Sequence, residues 1–145
     1  MAGTPDVELV LRELGHLIRQ LTRLVGGADD GPPMTATQRI ALVELGDDGP
    51  LRLNDLAKRM GTSTPTASRS VDALEALGLV TRAPESSDRR ALSIDVSPRG
   101  RDLLDERLRR AATAFAPAAA TLSAADRREL VALLRRMTDA LRATT

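Results

Sequence analysis

The chain has 145 residues, about the length of one domain, and 42% of them are hydrophobic, yet it holds a single aromatic residue. It has no cysteine, which excludes disulfides, thiolate metal sites and thiol redox switches, and no apolar run approaches the roughly 20 residues that cross a bilayer. The net charge is only +1, but residues 51–101 carry nine basic and six acidic side chains, an excess of the sign that DNA attracts. The sequence thus predicts a soluble cytoplasmic protein.

The first two helices are predicted from apolar spacing and from a capping pattern. In residues 7–25 apolar side chains recur at helical intervals and form a wide apolar face. Thr35 and Gln38 then have the spacing of a capping box, which opens a second helix. That helix is predicted to run through Leu45 and to end at Gly46.

A helix-turn-helix is predicted next. A short strand at residues 51–53 leads into a third helix at about 54–60, and Gly61 takes the position after its end. Thr64 is the expected N-cap of a fourth helix, with a proline at its first position, and this helix reaches Leu77. So few residues separate the two helices that they form a helix-turn-helix.

The apolar period then changes from helical to alternating. This change predicts two strands of a hairpin, at residues 79–82 and 92–96. Leu92, Ile94 and Val96 fall on one face of the second strand.

Two further helices are predicted towards the C-terminus. A serine-proline pair at residues 97–98 repeats the capped start, and Pro117 is expected to kink or end the helix that follows. Ser123 and Asp126 then open a last helix, whose apolar stripe runs to Leu141.

The terminal helices are predicted to form a dimer interface. Their apolar stripes exceed what one small core can cover, and mutual burial across a two-fold axis would hide them. Packing of the two helices within one chain is the alternative. The predicted architecture is one domain, residues 1–145, mainly α with a small β-hairpin wing. In it, residues 35–97 form a winged helix-turn-helix lobe and residues 5–34 and 98–145 form dimerisation helices.

The fourth helix has a side that suits the major groove of DNA. Its apolar residues share one face, so the opposite face exposes Thr66, Ser68 and Arg69. Short side chains let the backbone approach a groove while Arg69 reaches a guanine edge, and the N–H groups near Thr64 favour a phosphate. Alternatively, Arg69 is merely solvated or pairs with Asp72.

The loop between the two strands carries charges at its tip. A carboxylate such as Asp88 is unfavourable beside DNA phosphates unless it orients a neighbouring side chain. If it accepts a hydrogen bond from Arg90, it fixes that guanidinium outward, ready for a narrow minor groove. A surface turn with scattered charges is the alternative.

Residues 51–100 closely resemble the MarR family of winged-helix transcription factors. The matching words are "LNDLAKRMGTSTPTASRSVDALEALGLVTR" and "DRRALSIDVSPRG", and the flanking helices match the family's order. The resemblance implies that Ser68 and Arg69 lie in a recognition helix, that Arg90 enters the minor groove beside the wing aspartate, and that the terminal helices dimerise. The predicted DNA-contacting residues are Thr64, Thr66, Ser68, Arg69, Ala73, Arg82, Asp88, Arg89 and Arg90.

Catalysis, cofactors and metal sites are not indicated. His16 is the only histidine, and the chain has neither cysteine nor a glycine-rich phosphate loop. The resemblance implies a pocket between the dimer helices and the DNA-binding lobe, which often takes small aromatic acids or other amphipathic effectors. The predicted ligand-binding residues are His16, Arg19 and Arg39, with a surface or interface position as the alternative for His16.

The sequence therefore predicts a ligand-responsive repressor that binds a pseudo-palindromic double-stranded DNA site as a homodimer. The alternative is a winged-helix protein-interaction module without operator binding, whose wing charges contact an acidic protein. A mobility shift that weakens steeply with salt favours the first, because DNA binding releases counterions.

Overall fold

The computed structural model describes residues 4–25, 31–85, 87–88 and 90–144, and these residues form six helices and three strands. The helices are α1 (Thr4–Val25), α2 (Ala36–Asp48), α3 (Leu53–Arg59), α4 (Thr64–Ala76), α5 (Pro98–Ala119) and α6 (Ala124–Thr144). The strands are β1 (Leu51–Arg52), β2 (Val80–Pro84) and β3 (Leu92–Val96), and β3 lies between the other two in an antiparallel sheet. The mainly helical fold with a β-hairpin wing is confirmed.

The chain divides into two compact units. The central lobe is Gly31–Arg107, and the terminal-helix unit comprises Met1–Asp30 and Leu108–Thr145. The core of the central lobe is aliphatic, as the shortage of aromatic residues requires. Its largest fully buried side chains are Leu42, Leu45, Leu56, Val71, Leu74, Leu79, Val80 and Ile94. Helices α2, α3 and α4 and the sheet therefore share one core, which holds the helix-turn-helix in place.

The helix caps largely follow the predicted patterns. The Thr35 side chain accepts from the Gln38 backbone N–H (3.2 Å), and the Gln38 side chain accepts from the Thr35 N–H (3.0 Å), which confirms the capping box. The cap predicted for α4 is wrong by one residue. Ser63 is the N-cap and accepts from the Thr66 N–H, whereas Thr64 is already helical.

The predicted end of α2 at Gly46 is also wrong. The helix continues through Gly46 to Asp48. A Cβ atom at this glycine would lie 2.5 Å from the Leu104 Cδ1 atom of α5. The glycine therefore serves the close approach of α5 rather than helix termination, a distinction that sequence position alone does not make.

The hairpin extends beyond the core. Strand β2 is displaced towards the loop relative to residues 79–82, and it pairs with β3 from Val80–Val96 to Pro84–Leu92. Of the three residues predicted on one face of β3, Ile94 and Val96 are buried in the core, whereas Leu92 is 53% exposed. The core therefore covers only the half of β3 that is nearer to α5.

The start of α5 is tied to the end of α4. The Ser97 hydroxyl donates to the Gly78 carbonyl (2.6 Å) and accepts from the Gly100 N–H (3.0 Å). Gly100 is buried, and a Cβ there would lie 2.1 Å from the Leu79 carbonyl oxygen and 2.8 Å from Val96 Cγ1. No side chain can be accommodated without moving the backbone of the lobe.

Gly100→Ala is therefore expected to lower the free energy of unfolding by about 1–3 kcal/mol, the usual cost of overpacking. Urea denaturation followed by circular dichroism measures this change. Arg99→Ala is the control, because Arg99 is exposed on the same turn and its loss should change stability by less than about 0.5 kcal/mol. Equal stability of the two variants would contradict the packing described.

The terminal-helix unit leaves its apolar side chains uncovered. Helix α6 has no buried residue among those described, and Ser123 and Asp126 form its reciprocal cap, as predicted. Hydrogen bonds from the Ser123 hydroxyl and backbone lower the pKa of Asp126.

Large hydrophobic side chains exposed on α1 and α6 are Val7, Leu9, Val10, Leu11, Leu17, Ile18, Leu24, Leu130, Val131, Leu133, Leu134, Met137 and Leu141.

Of the two outcomes expected at Pro117, a kink or a helix end, the helix end is not observed. The helix continues to Ala119, and the Ala120 N–H still donates to the Ala116 carbonyl (2.9 Å). A proline this close to a C-terminus removes one helical hydrogen bond, and the last turn survives that loss. None of the described helices is long and apolar enough to cross a membrane.

Candidate nucleic-acid interface

The turn between α3 and α4 depends on a glycine and on two hydroxyl groups. Gly61 has a φ of +62° and follows Met60, the C-cap of α3. The Thr64 hydroxyl donates to the Asn54 side-chain oxygen of α3 (3.2 Å), and Ser63 caps α4. These contacts hold the two helices in the predicted helix-turn-helix.

Helix α4 buries its apolar side and presents short side chains on the other. Ala67, Val71 and Leu74 are buried in the core. Of the residues predicted to contact DNA, Thr64 and Arg69 are exposed, whereas Thr66, Ser68 and Ala73 are half-buried. A surface of this kind has little side-chain bulk around one long cationic side chain.

Arg69 is not neutralised within the described part of the chain. Its Nη2 atom lies 3.5 Å from the Thr66 hydroxyl, and no described carboxylate forms an ion pair with it. The alternative that Arg69 pairs with Asp72 is wrong, because the Asp72 carboxylate accepts instead from Arg82 (2.6 Å). The Arg69 guanidinium is thus available to an external acceptor.

Arg82 connects the wing to α4. Its guanidinium donates to Asp72 (2.6 Å) and to Glu75 (3.0 Å), and its side chain is 28% exposed. Because β2 runs beside the carboxyl-terminal half of α4, both carboxylates meet the same arginine. Because Nη1 and Nη2 each donate to a carboxylate of α4, Arg82 acts first as a link between the recognition helix and the hairpin.

Asp88 accepts two hydrogen bonds from the described residues that follow it in the wing. Asp88 accepts from the backbone N–H of Arg90 (2.9 Å), and its carbonyl accepts from the Ala91 N–H (3.1 Å). The expectation that Asp88 fixes the Arg90 guanidinium is therefore wrong; it fixes the backbone of the turn. The Arg90 side chain is exposed and forms no ion pair with any described residue. Arg89 lies outside the described residues.

One ion pair at the base of the wing was not predicted. Arg52 of β1 donates from Nε to Glu85 Oε1 (2.9 Å) and from Nη2 to Glu85 Oε2 (2.5 Å). The hydrogen bond and the charge of this guanidinium lower the pKa of Glu85, and the carboxylate raises the pKa of Arg52. No local sequence pattern indicates this ion pair, because the two residues meet only when β1 pairs with β3.

Comparison with known proteins identifies the family. A model of the MarR family matches residues 33–91, which contain the helix-turn-helix and the wing tip. The crystal structure of a "probable transcriptional regulator" from Pseudomonas aeruginosa is 32% identical to this chain, with a TM-score of 0.58, and the match covers 90% of this chain and 96% of that one. The chain belongs to the MarR family. Its predicted membership is confirmed, and it is a transcriptional regulator of winged-helix fold.

Two further proteins are similar to this chain over most of their length. The HTH-type transcriptional repressor NicR from Pseudomonas putida is 29% identical over 134 residues, which are 90% of this chain and 85% of NicR. BpsR from Bordetella bronchiseptica, whose DNA binding is regulated by 6-hydroxynicotinic acid, is 29% identical, with a TM-score of 0.54 and coverage of 87% and 98%.

The candidate effector residues of this MarR-family chain lie in different units. His16 and Arg19 are exposed on α1, where His16 Nδ1 lies 4.0 Å from Glu13. Arg39, on α2 in the central lobe, donates to the Met34 carbonyl (2.9 Å). Within the residues described, no group of histidine, aspartate and glutamate side chains could hold a metal ion.

Proposed function

We propose that this protein is a homodimeric, cytoplasmic repressor that binds a pseudo-palindromic double-stranded DNA site and is released by a small aromatic acid. One observation supports DNA binding above the others. The recognition helix α4 and the wing of the same lobe each carry an exposed guanidinium, Arg69 and Arg90, that no described carboxylate neutralises. A helix and a hairpin with free cations suit the major and the minor groove of one duplex.

The recognition helix is proposed to read bases through Arg69. Thr64, Thr66, Ser68 and Ala73 surround it with short side chains, so the helix can lie deep in the major groove. The N–H groups of the first turn of α4 and its helix dipole favour a phosphate at Thr64. In the wing, Arg90 and Arg89 are proposed to enter the minor groove, and Asp88 holds the backbone of Arg90.

Dimerisation is proposed through α1 and α6. An apolar groove runs between these helices and is lined by Leu14, Leu17, Leu130, Leu134 and Met137. Exposed surface of this extent usually marks an interface in a protein that stays in solution. A two-fold dimer would present two α4 helices to successive major-groove turns, about 34 Å apart.

The effector is proposed to be a planar aromatic acid. BpsR responds to such a compound, 6-hydroxynicotinic acid, and is similar to this chain over most of its length. His16, Arg19 and Arg39 are the candidates for its carboxylate, because each side chain carries an N–H donor. An effector can release DNA only if it binds the DNA-free conformation more tightly.

A mobility shift on the duplex upstream of the protein's own gene tests the proposal. We expect a shift at low salt that weakens steeply as salt rises, because phosphate contacts release counterions. Addition of 6-hydroxynicotinic acid tests the effector. No shift at low salt would favour a winged-helix module that binds an acidic protein instead.

Arg82 is proposed to support DNA binding by holding the wing against α4. Arg82→Ala should weaken binding about fivefold, the upper end of what an exposed ion pair contributes. It also leaves Asp72 and Glu75 without the cation that neutralises them. Fluorescence anisotropy on the upstream duplex measures the change. In a protein that already carries Asp72→Asn and Glu75→Gln, Arg82→Ala should change the affinity by less than about twofold, because the link to α4 is already lost. A loss of about fivefold in that background as well would make Arg82 a direct DNA contact.

A further inference from the structure

The outer half of the wing lacks apolar support. Pro84, Leu92 and the turn residues Asp88 and Arg90 are all exposed, whereas the last buried side chain of β3 on that side is Ile94. A two-stranded hairpin without packing on one face is marginally stable in water. The position of Arg90 therefore depends on polar contacts.

The strongest of these contacts is the ion pair between Arg52 and Glu85. It is bidentate, with nitrogen–oxygen distances of 2.9 and 2.5 Å, and the Glu85 side chain is only 20% exposed. Arg52 lies on the edge strand β1, opposite Ser93 of the central strand. Its side chain spans β3 to reach Glu85, which directly follows β2. The pair thus joins the two outer strands of the sheet at the base of the wing.

From Glu85 a chain of hydrogen bonds continues to the wing tip. The Glu85 N–H donates to the Ala91 carbonyl (2.9 Å), the Ala91 N–H donates to the Asp88 carbonyl (3.1 Å), and the Asp88 carboxylate accepts from the Arg90 N–H (2.9 Å). Consecutive hydrogen bonds share a residue, Ala91 for the first two and Asp88 for the last two. Arg52 is therefore connected to the backbone of Arg90 through the neck of the hairpin.

We infer that Arg52 is a positioning residue for the wing: by holding Glu85 it fixes the direction in which Arg90 enters the minor groove. This role rests on the proposed DNA binding, because the direction of Arg90 matters only when the wing binds a duplex. Arg52 commits its Nε and Nη2 atoms to Glu85, so this ion pair is a contact of the protein without DNA. A bidentate arginine is suited to this task, because its planar fork restrains angle as well as distance.

The experiment uses charge exchange. Arg52→Glu places two carboxylates side by side, whereas the double variant Arg52→Glu, Glu85→Arg restores an ion pair of the opposite direction. Arg128→Glu on α6 is the control for net charge, because its side chain is exposed in the other unit. Affinity for the duplex upstream of the gene is measured by fluorescence anisotropy for all three and for the unchanged protein.

Wing order is measured without DNA. The chain has no cysteine, so a nitroxide on Ser87→Cys reports on the wing alone through its electron paramagnetic resonance line width. We expect Arg52→Glu to narrow the lines, as a more mobile label does, and to weaken DNA binding about fivefold. The charge-exchanged variant should restore the line width and the affinity for DNA to within about twofold of the unchanged protein. Arg128→Glu should change neither quantity.

The outcomes separate this inference from the proposed function. Unchanged spectra, or narrowed spectra with unchanged affinity, would overturn the positioning role. Affinity that the exchange does not restore, with spectra that it does, would make Arg52 a phosphate contact and also overturn it. If the unchanged protein binds no duplex, the proposed function fails and the DNA role of Arg52 fails with it, while the spectra still decide whether the ion pair orders the wing.

Discussion

Leu134→Glu is expected to convert the protein to a monomer and to lower its affinity for the upstream duplex by about 100-fold or more, because linkage of two binding units contributes 10²–10⁴ in avidity. Leu134 lines the apolar groove between α1 and α6 and is 39% exposed in the single chain. A carboxylate there would have to be desolvated in a dimer but can stay hydrated in a monomer. The central lobe does not include α6, so it should remain folded.

Sedimentation velocity gives the oligomeric state, and fluorescence anisotropy gives the affinity. Arg128→Glu also adds a carboxylate to α6, but Arg128 does not line the groove, and this variant should remain a dimer with unchanged affinity. Near-identical circular dichroism spectra would show that both variants are folded. A wild-type protein that sediments as a monomer, or a Leu134→Glu variant that stays dimeric, would contradict the proposed interface.

Arg69→Ala is expected to cost about 1–3 kcal/mol of specific binding and to relax the preference at one base position in each half-site. The reason is that Arg69 is the exposed guanidinium on α4, and an arginine that bonds a guanine edge discriminates against the other bases. Binding to a set of duplexes that each carry one base-pair change measures both effects.

Arg90→Ala serves as the comparison in the same assay. It should weaken binding with a change of preference confined to A·T-rich flanks, since a minor-groove arginine responds to groove width. Arg128→Glu should match the unchanged protein at every position. If Arg69→Ala and Arg90→Ala both bind as well as the unchanged protein, the assignment of base reading to α4 and the wing is wrong.

Much of the fold could be predicted because its signals are local. The capping box at Thr35 and Gln38, the positive φ of Gly61 and the alternation that buries Ile94 and Val96 each depend on a few neighbouring residues. Local patterns of this kind determine helix starts, turns and faces, and they sufficed for the order of elements and the winged helix-turn-helix.

The remaining features depend on residues that are distant in sequence. The local sequence predicts a helix end at Gly46, but this glycine leaves room for Leu104, 58 residues further along the chain. Asp72 has the sequence spacing that suits a pair with Arg69, yet its carboxylate accepts from Arg82 of the hairpin instead. Arg52 and Glu85 meet only through the register of the sheet. Such competition between local and distant partners cannot be decided before the fold is known.

Hydroxyl-radical footprinting of the unchanged protein on the duplex upstream of its gene tests the central claim most directly. The account predicts two protected regions about one helical turn apart, roughly 34 Å between centres, with further protection in the flanking minor grooves. It also predicts that Arg69→Ala and Arg90→Ala weaken the central and the flanking protection, respectively. A folded dimer that protects no region at low salt, or protection that both variants leave intact, would contradict it.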